Sequence, residues 1–163
     1  MTTHPAPCGQ SRTIHEGELD RADVAALLAL HFAEMNGDSP PEACHVLPLD
    51  GLRDRGIRFF SMRDGDGTLL GIGALRTLDP HHGELKSMRT APAALGRGVG
   101  RDLLAHLIGE ARAAGLTRLS LETGNSALFA PAHQLYASSG FTTCGPFGNY
   151  PPGPFTHFYT REI

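Results

Sequence analysis

The sequence predicts a mixed α/β domain, and two stretches carry that prediction. The first is a strand meander. Two apolar runs, Ile57 to Arg63 and Thr68 to Leu78, flank Asp64-Gly65-Asp66-Gly67, a hairpin turn signal. Asp79-Pro80-His81-His82-Gly83 is a second turn, and Glu84 to Thr90 follows as a third strand. The second stretch is a helix over Val99 to Ala114. Its Val99, Leu103, Leu104, Leu107, Ile108 and Ala111 recur at helical spacing, and Gly115 closes it.

The remaining elements fill in around these two. Arg12 to Glu18 reads as a strand. Asp20 caps a helix from Arg21 to Asn36, with Val24, Leu27, Leu28, His31, Phe32 and Met35 on one face and Gly37 as its stop. Ser39-Pro40-Pro41-Glu42 is a capping box with proline at the first helical position, so a short second helix starts there and ends at Pro48. Leu116 to Glu122 suits a buried strand, a short helix near Pro131 runs to Gly140, and Phe141 to Cys144 and Phe155 to Arg161 are the last strands. The predicted order is β-α-α-β-β-β-α-β-α-β-β. It forms one domain over residues 12–163, after a short disordered lead-in at 1–11.

Composition narrows the function classes. A chain of 163 residues with 40% hydrophobic content buries a core without help from a metal or disulfide. A formal charge of -3 supplies no basic field, so no nucleic-acid partner is expected. No apolar run nears the roughly 20 residues needed to span a bilayer, and the N-terminus lacks a secretory pattern. Cys8, Cys44 and Cys144 are an odd set without metal-ligand spacing, which suits ordinary thiols in a reducing cytoplasm. His81-His82 sit in a turn where adjacent side chains point apart, so no metal site is expected either. Thirteen of the fourteen basic residues are arginine, which makes the lone lysine, Lys86, informative.

The chemistry starts at the turn before the strong helix, Leu95-Gly96-Arg97-Gly98-Val99-Gly100-Arg101. Its glycines remove side chains where the backbone turns, leaving amide N–H groups aimed outward at a helix N-terminus. Unpaired donors and the helix dipole both favour an anion there, a phosphate or pyrophosphate. A P-loop would need Gly-Lys-Ser/Thr, which is absent. A dinucleotide fingerprint begun at Gly96 would need a third glycine where Arg101 stands, and a parallel unit where the meander lies. The pyrophosphate turn of acetyl-CoA-dependent enzymes is the third candidate, and the turn alone does not choose it.

From about Arg12 onward the chain resembles the GNAT superfamily of acetyltransferases. The resemblance rests on Glu84-Leu-Lys-Ser-Met-Arg-Thr90, the glycine-rich turn with its long helix, and Leu135-Tyr136-Ala-Ser-Ser-Gly140-Phe141, in the family's order and spacing. The signatures His82 to Thr90, Leu119 to Gly124 and Cys144-Gly-Pro-Phe147 look like one subgroup of small bacterial GNAT enzymes. The resemblance implies a central, mostly antiparallel sheet of six or seven strands flanked by about four helices. It also implies acetyl-CoA as co-substrate, a small-molecule amine or amino-acid-like acceptor, and a homodimer.

Residue by residue, the resemblance implies that Glu84 is the strand general base and Tyr136 the acid that protonates the CoA sulfur. Met88 would polarise the thioester carbonyl through its main-chain N–H. The residues implied at the cofactor are Met88, Arg89 and Thr90 on the strand, Leu95, Gly96, Arg97, Gly98, Val99, Gly100 and Arg101 in the turn, then Asn125 and Phe129. Two positions depart from the family: Leu95 replaces its usual Gln or Arg, and Phe129 holds its usual Asn position, with Asn125 four residues earlier. For Glu84 and Lys86 two readings stand. Lys86, with His45, receives a carboxylate on the acceptor, or Lys86 forms an internal pair with Glu84, since neither charge tolerates lone burial. A non-catalytic acyl-CoA sensor and an enzyme acting on protein or peptide amines are the alternative functions.

Overall fold

The computed structural model describes residues 11–38, 45 and 47–163. Seven strands form one sheet in the order β1-β2-β3-β4-β5-β7-β6. They are β1 (Thr13–Glu16), β2 (Ile57–Arg63), β3 (Leu69–Thr77), β4 (His82–Thr90), β5 (Arg118–Gly124), β6 (Thr142–Cys144) and β7 (Thr156–Glu162). Three α-helices are present among the described residues: α1 (Ala22–Asp38), α2 (Val99–Ala113) and α3 (Ala130–Ser138). Most of the short helix expected from Ser39 lies outside the described residues, as do Cys8, Cys44 and all of the 1–11 lead-in but Ser11. The meander is as predicted: β1 to β4 pair antiparallel in sequence order. The α2 crossover then makes β4 and β5 the one parallel pair, and β7 and β6 return antiparallel.

Period-two alternation sorts side chains onto the two faces of the sheet. On one face Leu85, Leu119, Leu121 and Tyr159 meet the apolar stripe of α2, with Leu103, Leu104 and Leu107 each at most 1% exposed. On the other, Phe59, Ile72 and Ala74 pack beneath Val24, Leu27 and Leu28 of α1. The second face is not wholly apolar. Glu84, Lys86 and Ser120 are buried there, beside the segment between β6 and β7 that carries Phe147 and Tyr150. Outside the core, α1 is tied to the sheet by ion pairs. Buried Arg63 reaches Asp23 at 2.6 Å and Glu18 at 3.0 Å, and Arg89 reaches Glu34 at 2.5 Å.

Candidate active site

The site is made where the parallel pair comes apart. Register between β4 and β5 ends at Leu85 opposite Leu121; beyond it β4 continues through Lys86 to Thr90 without β5. The cause lies on the other side of β4. Its register with β3 shifts between Ile72 and Ala74, so that more residues of β4 than of β3 lie between the paired positions. Ser87 takes a left-handed conformation there, φ 54°. Such a bulge bends and twists its strand, and non-glycine residues adopt this region only when their surroundings impose it. Nothing in the local sequence Lys86-Ser87-Met88 marks the bulge.

The opening is a cleft of about 600 Å³ running from the start of α2 to the buried charges on the second face. At its outer end, Gly96 and Gly98 are left-handed (φ 76° and 74°), and Gly98 caps α2 without any side-chain cap. The helix's first turn-closing bond is Asp102 N–H to Gly98 O, 3.1 Å. The amides of Val99, Gly100 and Arg101 precede it and therefore lack intrahelical acceptors. Gly100 also lets α2 approach α3, since a Cβ there would stand 3.3 Å from Leu135. The turn is braced from behind, where Arg12 donates to the Arg97 carbonyl at 2.6 Å and pairs with Asp102.

Most of the expected cofactor residues meet in this cleft: Met88, Arg89, Thr90, Leu95, Gly96, Gly98, Val99, Gly100, Arg101 and Phe129 all line it. Leu95 is 65% exposed, an apolar side chain at the mouth where the family places a polar one. Two of the expected residues stand apart from the lining. Asn125 turns away from the cleft and donates its side-chain amide to the Pro154 carbonyl, tying down the segment that enters β7. The Arg97 side chain is also not part of the lining; its carbonyl serves the brace to Arg12. Phe129 does line the cleft, buried edge-on at Gly124, where a Cβ would overlap its ring.

Tyr136 rises from α3 beneath the splay, and its hydroxyl points to Met88 Sδ at 3.7 Å. Burial pushes this phenol far above the usual tyrosine range, so it stays protonated and able to donate. On the far side of β4 lies a polar floor. Lys86 Nζ is 3.2 Å from Glu84 Oε1 and 2.6 Å from the Tyr150 hydroxyl, which in turn donates to the same Glu84 oxygen. Glu84 is 1% exposed, and its Oε2 is buried with no hydrogen-bond partner among the described residues. Burial first, then the bond to Glu84, raise the Tyr150 phenol far above its ordinary range. His45 stacks edge-on against Tyr150 at 5.1 Å, and burial, followed by the Lys86 charge, holds its imidazole below the usual value. Glu122 of β5 faces the same floor. Burial pushes its carboxyl up to about 7, with Lys86 pulling it down and Glu84 pushing it up.

The internal Glu84–Lys86 pair is therefore present, and Lys86 has its charge engaged. Tyr150 and Glu122 were not anticipated. Tyr150 lies 64 residues from Lys86 in a proline-rich segment that carries no local signal of the contact. Glu122 did carry one: in Leu119-Ser-Leu-Glu122, alternation sets it on the face opposite the core leucines. Among the described residues no group of three or more His, Cys, Asp or Glu is placed to hold a metal, and no helix is long and apolar enough to cross a membrane.

A glycine-built anion cradle joined to a splayed parallel pair is the geometry of a CoA thioester site, and the comparisons agree. The model of the acetyltransferase (GNAT) family matches residues 24–141. The chain belongs to the GNAT family of acetyltransferases. The uncharacterized N-acetyltransferase YedL of Escherichia coli is 47% identical over 93% of this chain and 94% of its own length. The IAA acetyltransferase of Azospirillum brasilense is 41% identical over 76% of this chain and 80% of its own. The solved structure of a putative acyl-CoA N-acyltransferase from Klebsiella pneumoniae superposes with a TM-score of 0.75 at 27% identity, covering 93% of this chain and 97% of that one. As a GNAT enzyme, the protein is an acetyl-CoA-dependent N-acetyltransferase. Its described residues form the seven-strand sheet set out above.

Proposed function

We propose that this enzyme acetylates the amine of a small, amino-acid-like molecule by direct attack on acetyl-CoA. The observation that carries the reading is the continuity of one cleft from the amide cradle of α2, past the β4/β5 splay, to a floor of buried charges. The cradle takes the pyrophosphate through the amides from Gly96 to Arg101, so the missing polar side chain at Leu95 removes one contact rather than the site. The thioester then lies in the splay, where the Met88 N–H polarises its carbonyl and Tyr136 supplies a proton to the departing sulfur.

A small acceptor is favoured because the cleft holds only about 600 Å³ and ends on buried charges. His31 and Met35 of α1 line the cleft, as does His45, whose ring meets Tyr150 edge-on. Neither cation at the floor is free to meet a carboxylate alone, since Lys86 pairs with Glu84 and Arg89 with Glu34. The carboxylate of an amino-acid-like acceptor is thus read as bonded to the uncharged His31, whose buried Nδ1 has no partner among the described residues. Burial, followed by the Arg89 charge, holds that imidazole down at about 4. The test is release of free CoA thiol from acetyl-CoA over a panel of amines, amino acids and peptide N-termini. Turnover confined to peptides would overturn the small-acceptor reading, and no thermal stabilisation by acetyl-CoA would overturn the donor site.

A further inference from the structure

Two carboxylates face the floor of the cleft, and they differ in what holds them. Glu84 receives both Lys86 and Tyr150 on one oxygen and is sealed at 1% exposure. Glu122 is only partly buried, lines the cleft, and makes no hydrogen bond or ion pair with any described residue. It stands one residue past the last position of β5 that pairs with β4, at the point where those two strands part. Its carboxylate therefore opens onto the place where an amine must stand to reach a thioester lying in the splay.

We propose that Glu122, rather than Glu84, takes the proton from the acceptor's ammonium group. The proposal rests on the acetyl-transfer reading above. The ammonium gives one N–H proton to the Glu122 carboxylate, and the freed lone pair forms the C–N bond. The tetrahedral adduct then collapses with C–S cleavage; the sulfur takes a proton from Tyr136, and the second proton lost by nitrogen balances it. No oxidant, reductant or metal is needed. Glu84 acts one step back: it fixes Lys86 and Tyr150, and its negative charge keeps Glu122 basic enough for the task.

Among the described residues, few charged groups surround Glu122. Glu84 and Lys86 face it from β4 and Tyr150 from the segment before β7, with His45 behind Tyr150. The residue opposite on β7 is apolar Phe158. Burial keeps the carboxyl close to the range where a base works near neutrality.

The experiment uses the full chain with side-chain ¹³C-labelled glutamate and, for kinetics, the best amine from the thiol-release panel. One glutamate carboxyl should titrate near pH 7, and that signal should vanish in Glu122→Gln. The kcat/KM of the wild type should rise through the same pH range. Glu122→Gln should lose that limb and fall roughly 10²–10⁴-fold. Glu84→Gln should move the limb to lower pH, because a neighbouring negative charge is gone. Hydroxylamine, already neutral at pH 7, should lose far less rate than an alkylamine in Glu122→Gln. A Glu122 signal titrating in the ordinary carboxylate range, or a pH limb kept in Glu122→Gln, would overturn the proposal alone. A wild type that acetylates no amine would overturn the small-acceptor reading as well.

Discussion

Two glycines of α2 predict opposite responses to one substitution. Gly98 opens the helix at φ 74°, whereas Gly109 lies exposed in its interior with nothing within 4 Å of an added Cβ. At Gly98 an alanine must hold a left-handed backbone, which costs about 1–2 kcal/mol. The stiffer unfolded chain offsets roughly 0.4–1 kcal/mol of that. The new Cβ would stand 3.0 Å from Arg101 Nη2, the movable end of a long exposed side chain, so crowding adds little. The net loss is about 1 kcal/mol, or roughly 2–4 °C in Tm for a chain of this size.

At Gly109 the same change removes a glycine from a helix interior, a gain of about 0.5–1 kcal/mol and a rise of roughly 1–4 °C. The two variants also separate stability from binding. Strain at Gly98 is relieved by turning the peptides that aim at the pyrophosphate, so Gly98→Ala should show a weakened thermal response to CoA. Gly109→Ala should keep the full response. Differential scanning calorimetry with and without CoA measures both effects. A Gly98→Ala protein as stable as the wild type with an undiminished CoA shift would refute the assignment of the cradle to these amides.

Three further outcomes follow from the site. Lys86→Met leaves the buried Glu84 carboxylate without its cation, so stability should fall by about 3–5 kcal/mol; the double variant with Glu84→Gln should recover much of it, read by chemical denaturation. An unchanged stability with a raised acceptor KM would instead make Lys86 a substrate contact. Tyr136→Phe removes a hydroxyl whose neighbour, the Met88 thioether, is a weak acceptor, so its stability should stay within about 1 kcal/mol while kcat drops about 10²-fold. Glu122 carries a carboxyl raised from 4.5 to about 7, so folding holds its proton more tightly than the unfolded chain does. Its contribution is therefore complete below pH 4.5 and is lost as pH rises to 7. That shift bounds the loss at about 3 kcal/mol, and partial exposure reduces it to about 1–2 kcal/mol. Glu122→Gln should accordingly melt higher than the wild type at pH 8 and no higher at pH 4.

What the sequence made legible was local in origin. The stripe of α2 repeats within a few residues, and Asp64-Gly65-Asp66-Gly67 sets the β2–β3 hairpin by its own turn chemistry. The cradle was readable for the same reason, because Gly96 and Gly98 meet a backbone requirement inside one turn. The contact of Asn125 was not readable, because its spacing from Tyr136 says nothing of the Pro154 carbonyl 29 residues on.

The floor of the cleft was partly hidden for a different reason. Lys86 and Glu84 are neighbours in sequence, but what decides their chemistry is Tyr150, which arrives from a segment without periodicity. Tyr150 bonds both Glu84 and Lys86, and in the proposal above that bonding keeps their charges from an acceptor. The same bulge that splays β4 from β5 leaves Glu122 facing open space, so the division of labour between the two carboxylates comes from strand pairing. A motif that fixes the glutamate of one strand cannot state which carboxylate will take the acceptor's proton. If Tyr150→Phe frees Lys86 and Glu84 toward the cleft, the acceptor KM should change for carboxylate-bearing amines far more than for simple alkylamines. An equal change for both classes would refute the sequestering role of Tyr150.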